Sequence, residues 1–420
     1  MAYGLGLALL IFPAPGWAAE PKIIATSNDL LSLDWVTSQV LSNNPSLKAA
    51  RANWEAMLQR VPQARAWEDL KVGVDVENAA GNTEWMAAQM FPISGKNRLR
   101  ALAANAEASA AWTELEKRQL ELVARARMAY YSLANAQVQL DINQKHEALL
   151  EQFIELSRNR YQLRAGMQAD VLMAQTELAK NQETRRDLEK QFSDEQSKLN
   201  VLMNRPPGTK LPRPVMPEIR LIELELDELQ AMALEHRPDL RMAQAGIEAA
   251  KARVSVARRE WIPDPEIRFE TRQFNPPNKG VVEYDAGIFI NVPWLNRSKY
   301  RAKIAESQKD VERIEHDLAA LQNETRGMVR DQWKKIDTAY HHHHIFNDRI
   351  VPLARQTLEA LRVAYTTGET GILELINAQR MVREAESMLN HHAMDYWSSV
   401  ADLEAMVGHR VEKPNGGKKP

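Results

Sequence analysis

The chain contains one long unit twice. Aligned at a constant offset, Asn44–Val76 and His236–Phe269 share Pro45/Pro238, Leu47/Leu240, Ala50/Ala243, Ala52/Ala245, Glu55/Glu248, Ala56/Ala249, Arg60/Arg253, Val61/Val254, Ala64/Ala257 and Arg65/Arg258. Such a repeat constrains the fold more than any local motif, because each element found in one half is expected in the other. In both copies an alanine-rich helical pattern runs into an alternating, strand-like segment. In the second it passes through Trp261-Ile262-Pro263-Asp264-Pro265, whereas the first has only Trp67–Leu70, one residue shorter and without proline. The two junctions are therefore expected to differ.

Around the repeat, composition favours long helices. Of 420 residues, 26% are charged and only 6% aromatic, with 17 glycines. Ala, Leu, Glu, Gln, Arg and Lys dominate, the pattern of long helices and coiled coils. The formal net charge of −2, with both signs interleaved, leaves no basic face for nucleic acid. The absence of cysteine excludes disulfides, thiolate metal sites, a cysteine nucleophile and a lipid on an N-terminal cysteine. Residues 1–19 read as a secretory signal peptide with the apolar core Leu5–Phe12, although the n-region carries no basic side chain. No later run is long and apolar enough for a transmembrane helix.

After the leader, a first repeat is expected over residues 20–204, a proline-rich linker over 205–221, a second repeat over 222–409 and a disordered tail over 410–420. Each repeat opens with a short helix, with Asp34 the expected N-cap in the first. The long alanine-rich helix follows, its Pro45 or Pro238 in the first turn. A hairpin comes next. In copy one (about 70–91), Leu70, Val72, Val74 and Val76 alternate on one face, Asn78–Thr83 turn, and Glu84–Phe91 return. In copy two (about 266–292), Glu266–Phe274 go out, Asn275–Gly280 turn, and Val282, Tyr284, Ala286, Ile288, Ile290 and Val292 alternate on the way back. These strands approach the nine to eleven residues of a tilted membrane strand, roughly.

Past the hairpins, the helix pattern runs without proline to about Arg164, and in the second copy from about Lys299 to Ile350. A helix of about 65 residues is about 100 Å long, more than a compact domain needs. Each copy then breaks at a glycine-containing tip, about 161–172 and 365–376, read as a tight turn between antiparallel helices. The second returning helix has a heptad seam, Leu375, Ala378, Val382, Ala385, Leu389, His392, Tyr396, Ser399, Leu403 and Met406. The first keeps that frame from Val171 and Ala174 to Leu199 and Leu202, but with Asn181, Arg185 and Glu195 on the seam. Small and polar seam residues suit a helix packed shallowly in a wide cylinder with one wet side. Four strands in one chain cannot close a membrane barrel, and lipid does not tolerate open edges, so several chains must share one.

The doubled Asn-Pro/Arg-Pro-x-Leu helices with Glu55/Glu248, the Phe91-Pro92/Val292-Pro293 strand exits and the Tyr161…Gly166…Ala174-Gln175 and Tyr365…Gly368…Ala378-Gln379 tips resemble the TolC family of outer-membrane efflux channels. The resemblance covers nearly the whole chain after the leader, in order, in both halves. It implies a mainly α fold with a small β part, in which a homotrimer builds an α-helical barrel topped by a shared twelve-stranded β-barrel. It further implies a passive exit duct that docks to a periplasmic adaptor (membrane fusion) protein and an RND-type or ABC-type inner-membrane pump. The Gly95-Lys96 and Tyr396…Leu403…Gly408 phrases resemble the heavy-metal branch, of the CzcC and CusC type. The competing reading from the residues alone is a periplasmic coiled-coil scaffold carrying two surface hairpins.

Candidate functional positions follow. The resemblance places Gly166, Met167 and Val171 of the first tip, and Gly368, Gly371 and Leu375 of the second, at the adaptor-docking end. Glycine there would supply the left-handed backbone of a tight reversal. Asp170 and Glu374 occupy equivalent positions, where a trimer would array them as acidic rings near the tunnel mouth, although acids also suit a helix N-terminus. Within the run His341–His344, only His341 and His344 share a helix face and are weak metal candidates. Gly95-Lys96 is not a phosphate loop, since Asn97 stands where Ser or Thr is required. No catalytic constellation and no cofactor motif is found, so the chain is read as no enzyme.

Overall fold

The computed structural model describes residues 30–77, 82–221, 225–273 and 282–411. The expected signal peptide, most of both hairpin turns and residues 412–420 of the expected tail lie outside the described residues. Strand β1 (Leu30–Leu31) leads into helix α1 (Leu33–Asn43), which Ser32 caps by accepting a hydrogen bond from the Trp35 amide. The N-cap is thus Ser32, not Asp34. Asp34 instead sits in the first turn, where its charge complements the helix dipole. Helix α2 (Pro45–Arg65) starts on Asn44, whose Oδ1 accepts from the Ser46 amide at 2.9 Å, with Pro45 at N1 as its missing N–H permits.

Strands β2 (Lys71–Glu77) and β3 (Asn82–Met90) form the first hairpin and lead into α3 (Lys96–Gln162), a single helix of 67 residues, about 100 Å long. Helix α4 (Gln168–Leu202) returns along it. The linker is pinned across the bundle. Its strand β4 (Arg213–Pro214) pairs in parallel with β1, and the Tyr130 hydroxyl bridges the Leu31 carbonyl (2.9 Å) and the Val215 backbone. The second copy repeats the order: α5 (Leu226–His236), α6 (Pro238–Arg259), β5 (Glu266–Gln273), β6 (Val282–Phe289), α7 (Arg297–Ile345), α8 (Val351–Thr367) and α9 (Ile372–Val407).

In the second copy the long rod does not stop at Ile350. Pro352 lacks an N–H and would clash with the carbonyl four residues back in a regular helix. A π-turn over Phe346–Ile350 absorbs that mismatch, and α8 carries the rod on to Thr367. The main core lies at mid-height, where Val36, Val40, Ala126, Leu133, Leu199, Met203, Leu229, Val329, Leu403 and Val407 are fully or nearly fully buried. Across that core Arg127 of α3 pairs with Glu404 of α9, whose second carboxylate oxygen accepts from the Val411 amide at 3.0 Å. Val411 is buried, so the start of the expected tail is packed. On α9 every apolar heptad position except Leu389 and Met406 is buried, and a second buried row (Ile376, Ala393, Trp397, Val400, Ala401, Val407) runs beside it. One seam thus becomes two because α9 packs against α3 on one side and α7 and α8 on the other.

Candidate functional site: the two-faced sheet and the helical tips

The hairpins join in one antiparallel sheet of order β2-β3-β5-β6. Its registers pair Val72 with Ala87, Ala87 with Phe269 and Phe269 with Ala286, and likewise Val74 with Trp85, Trp85 with Thr271 and Thr271 with Tyr284. Directly paired residues point to the same side of a sheet. One face therefore carries Val72, Val74, Val76, Trp85, Ile267, Phe269, Tyr284 and Ile288, all exposed, with Val72 at 70% and Ile288 at 71%. The other carries Lys71, Asp75, Glu84, Arg268, Glu270, Arg272, Glu283 and Asp285. Ion pairs lace this face, Arg272 with Glu84 at 3.3 Å and Lys71 with Glu266 at 3.5 Å. Water would not leave so continuous an apolar face bare on a soluble protein. The strands β2 and β6 are open edges.

At the foot of the sheet aromatic rings gather. Trp67 meets Phe91 edge-on at 5.6 Å, Trp261 meets Tyr300 at 5.9 Å, and Trp294 is exposed. Tryptophan and tyrosine at the ends of apolar strands suit a membrane–water boundary. In the same layer the repeats are cross-linked. Asp264 Oδ1 accepts from the Ser94 amide (3.0 Å), while Lys96 Nζ donates to Asp264 Oδ2 (3.0 Å) and to the Ile262 carbonyl (2.8 Å). Burial disfavours the Asp264 carboxylate, but the hydrogen bonds from Ser94 and Lys96 outweigh it and hold its pKa below the usual range. At the shorter junction, Asn97 Nδ2 donates to the Ala66 carbonyl at 2.6 Å.

At the opposite end, both tips close by the same backbone device. In the second, the Gly368 and Glu369 amides donate to the Tyr365 and Ala364 carbonyls, with Gly368 left-handed at φ +91°. In the first, the Arg164 and Ala165 amides donate to Tyr161 and Arg160, and the left-handed residue is Arg164, at φ +58°. This paired 5→2 and 6→1 arrangement ends a helix by capping its last carbonyls. Gly166 was expected to supply the left-handed step and does not. A Cβ there would stand 3.1 Å from that of Arg160, so Gly166 serves a close approach instead.

Arg160 ties the two tips together. Its guanidinium lies 4.5 Å from the Tyr365 ring centre and donates to the Tyr365 and Ala165 carbonyls, a cation at the C-termini of α3 and α8. The buried Tyr365 hydroxyl donates to Ser157 Oγ at 3.0 Å and lies 3.5 Å from Asp170 Oδ2. Burial raises the Tyr365 pKa, more than the Ser157 hydrogen bond lowers it. Leu375 is fully buried with Leu150, Phe153, Ile372 and Ile376, so it is a core residue and cannot face a partner, and Val171 is half-buried. Met167 is exposed, as are Leu172 and Leu373 within the expected docking stretches and Leu163, Met173 and Val363 just outside them. Their signal was available: Val171 and Leu375 lie on the heptad seam, and these residues lie off it. Asp170 is half-buried and Glu374 exposed, each in the first turn of its helix. Gly371 caps α9, with Glu374 Oε2 3.0 Å from where its Cβ would be.

His341 and His344 do not converge on a shared ion. Each instead faces its own aspartate one turn away, His341 to Asp337 at 3.3 Å and His344 to Asp348 at 3.1 Å. Among the described residues, no group of three or more His, Cys, Asp or Glu is arranged to hold a metal ion, and no helix is long and apolar enough to cross a membrane.

Comparison with known proteins agrees with this geometry. The sequence matches the family described as outer membrane efflux protein over residues 36–205 and 229–409. The probable efflux pump outer membrane protein SepC of Pseudomonas putida is 24% identical over 325 residues, 74% of this chain, and the chain spans 66% of that relative's length. The fold superposes on the outer-membrane channel OprN with a TM-score of 0.75 at 19% identity, covering 90% of this chain and 89% of that one. It superposes on CusC, whose structures are described in terms of folding and transmembrane channel formation, with a TM-score of 0.76 at 15% identity, covering 90% and 92%. Two matched segments, one in each repeat, cover most of the chain, which belongs to the outer membrane efflux protein family.

Proposed function

We propose that the chain is the outer-membrane channel of a tripartite efflux system, a passive duct through which small molecules or metal ions expelled by an inner-membrane pump leave the cell. The observation that carries the reading is the sheet with one apolar and one charged face and two open edges. An apolar face suits lipid, a charged face suits a water-filled lumen, and lipid tolerates no open edge. Strand directions alternate from β2 to β6, so β6 of one protomer can pair antiparallel with β2 of the next. Three copies of the four-stranded sheet make a closed barrel of twelve strands, the number that the family resemblance implies. Below it, the long helices of a homotrimer form the periplasmic tube.

The tips supply the partner surface. Leu163, Met167, Leu172, Met173, Val363 and Leu373 present exposed apolar side chains at the turns, which suits docking of a periplasmic adaptor protein and, through it, an RND-type or ABC-type pump. Asp170 and Glu374, repeated by the trimer axis, give acidic rings at that end. The doubled element order supports the division into two repeats joined by the 205–221 linker.

Purified protein tests the duct directly. In planar bilayers it is expected to give discrete conductance steps, and in dodecyl sulfate a trimer that dissociates on heating. A soluble, elongated species extracted without detergent, and silent in bilayers, would overturn the channel and favour the coiled-coil scaffold.

A further inference from the structure

Six of the ten histidines stand where α7 meets α9, just before the π-turn: His341–His344 on one helix, His391 and His392 on the other. Four consecutive side chains point around a helix, so they cannot share one task. His341 and His344 face solvent and their aspartates, and both lie against the Tyr340 ring. His342 instead faces α9. Its ring centre is 5.0 Å from that of the buried His392, with the planes inclined by 58°. Two imidazoles bound to one tetrahedral ion, with metal–nitrogen bonds of about 2.0–2.1 Å, hold their ring centres roughly 5 Å apart.

We propose that His342 and His392 form an interhelical two-imidazole site for a borderline divalent transition-metal ion, Cu2+, Ni2+ or Zn2+, with water completing the coordination. Neutral imidazole is the form that binds metal. Two neighbouring carboxylates are engaged elsewhere, Asp395 at 3.6 Å from His391 and Asp348 at 3.1 Å from His344. The histidine run ends two residues before the π-turn at Phe346–Ile350, so the site lies beside the irregular step of the rod, and such turns often mark functional positions. An ion here would tie that step to α9, with Phe346 of the turn 5.1 Å from His392 closing one side.

The site does not depend on the channel reading, because binding is measured on purified folded protein. Titration with Cu2+, Ni2+ and Zn2+ separately at pH 7.5 is expected to show one strong site per chain, Cu2+ binding tightest. The spectrum of bound Cu2+ should show nitrogen coupling from two imidazoles. Loss of even an outer-shell partner costs 10–100-fold in affinity, roughly, so His342→Gln and His392→Gln should each weaken binding by about tenfold or more. His341→Gln with His344→Gln should leave it unchanged. His342 is exposed, so His342→Gln keeps the test usable if the buried His392→Gln fails to fold. Equal Cu2+ affinity in wild type and His342→Gln, or loss of the site in the His341/His344 variant, would overturn the proposal and leave His342 and His392 as ring packing.

Discussion

Lys96, the first residue of α3, reaches back 3.0 Å to Asp264, two residues before β5, so that the first long helix of one repeat is fastened to the strand entrance of the other. Both side chains are about 12% exposed. Breaking a buried pair strands one charge, which costs roughly 3–5 kcal/mol. Lys96 retains the Ile262 carbonyl here, so Asp264→Asn is expected to destabilise the folded protein by about 2–3 kcal/mol in denaturant unfolding. The Asp264 pKa is lowered on folding, so its contribution is full above the ordinary carboxylate pKa and fades as pH falls below it. The gap between wild type and Asp264→Asn should therefore narrow in acid. A gap that stays constant with pH would mean that packing, not charge, accounts for the loss.

Backbone handedness gives a second test. Gly368 and Gly408 both end helices in the left-handed region, at φ +91° and +75°. A Cβ on Gly368 would meet only an Arg160 guanidinium nitrogen at 3.4 Å, whereas one on Gly408 would stand 2.8 Å from the His236 carbonyl oxygen. Gly368→Ala is expected to cost about 1 kcal/mol from conformation alone. Gly408→Ala should cost clearly more, because a backbone atom cannot swing aside. Thermal unfolding of the two variants side by side settles the order, and equal losses would contradict it.

The same positions show how much was legible in the sequence. The repeat, both hairpins and both tips were readable because each rests on a periodicity or a doubled motif. The left-handed step at Arg164 was not, because it falls where arginine stands in one copy and glycine in the other. Only the amide bonding of Arg164 and Ala165 reveals it. The first N-cap was misplaced by two residues, since Ser32 and Asp34 are both good caps and the backbone decides between them. For the candidate site, the heptad seam identified Leu375 correctly as a periodic position. Treating it also as a docking residue conflicts with that, because a seam residue is a core residue. His341 and His344 share a helix face by spacing, but spacing along one helix cannot show that His342 meets His392 across an interface.

Acid should probe the middle of the helical bundle through Glu386. The His146 imidazole 3.6 Å away, together with the Arg355 guanidinium at 2.9 Å, overcomes the cost of burial and lowers its pKa to about 2. A group depressed on folding stabilises above its unfolded pKa, near 4.5, and loses that contribution as pH falls toward 2. Glu386→Gln is therefore expected to lower stability by on the order of 1–3 kcal/mol at neutral pH and to flatten the acid limb between these values. A variant whose stability falls with acid as steeply as wild type would exclude Glu386 as a source of that limb.

The last prediction concerns the acids of the tips. Asp170 and Glu374 lie at the first turns of α4 and α9, where a carboxylate complements the helix dipole by roughly 0.3–1 kcal/mol. If that were their whole role, Asp170→Asn with Glu374→Gln would cost a little stability and leave conduction as it was. Arrayed by threefold symmetry around a mouth, six carboxylates would also hold cations at the constriction. Cation preference measured from reversal potentials should then fall in the double variant, and more steeply at low salt, where screening is weak. The Asp170 substitution should act on the mouth a second way, since its carboxylate lies 3.5 Å from the Tyr365 hydroxyl that also donates to Ser157. Loosening that contact should raise mean conductance in Asp170→Asn but not in Glu374→Gln alone. Unchanged selectivity in the double variant would return both acids to the role of helix caps.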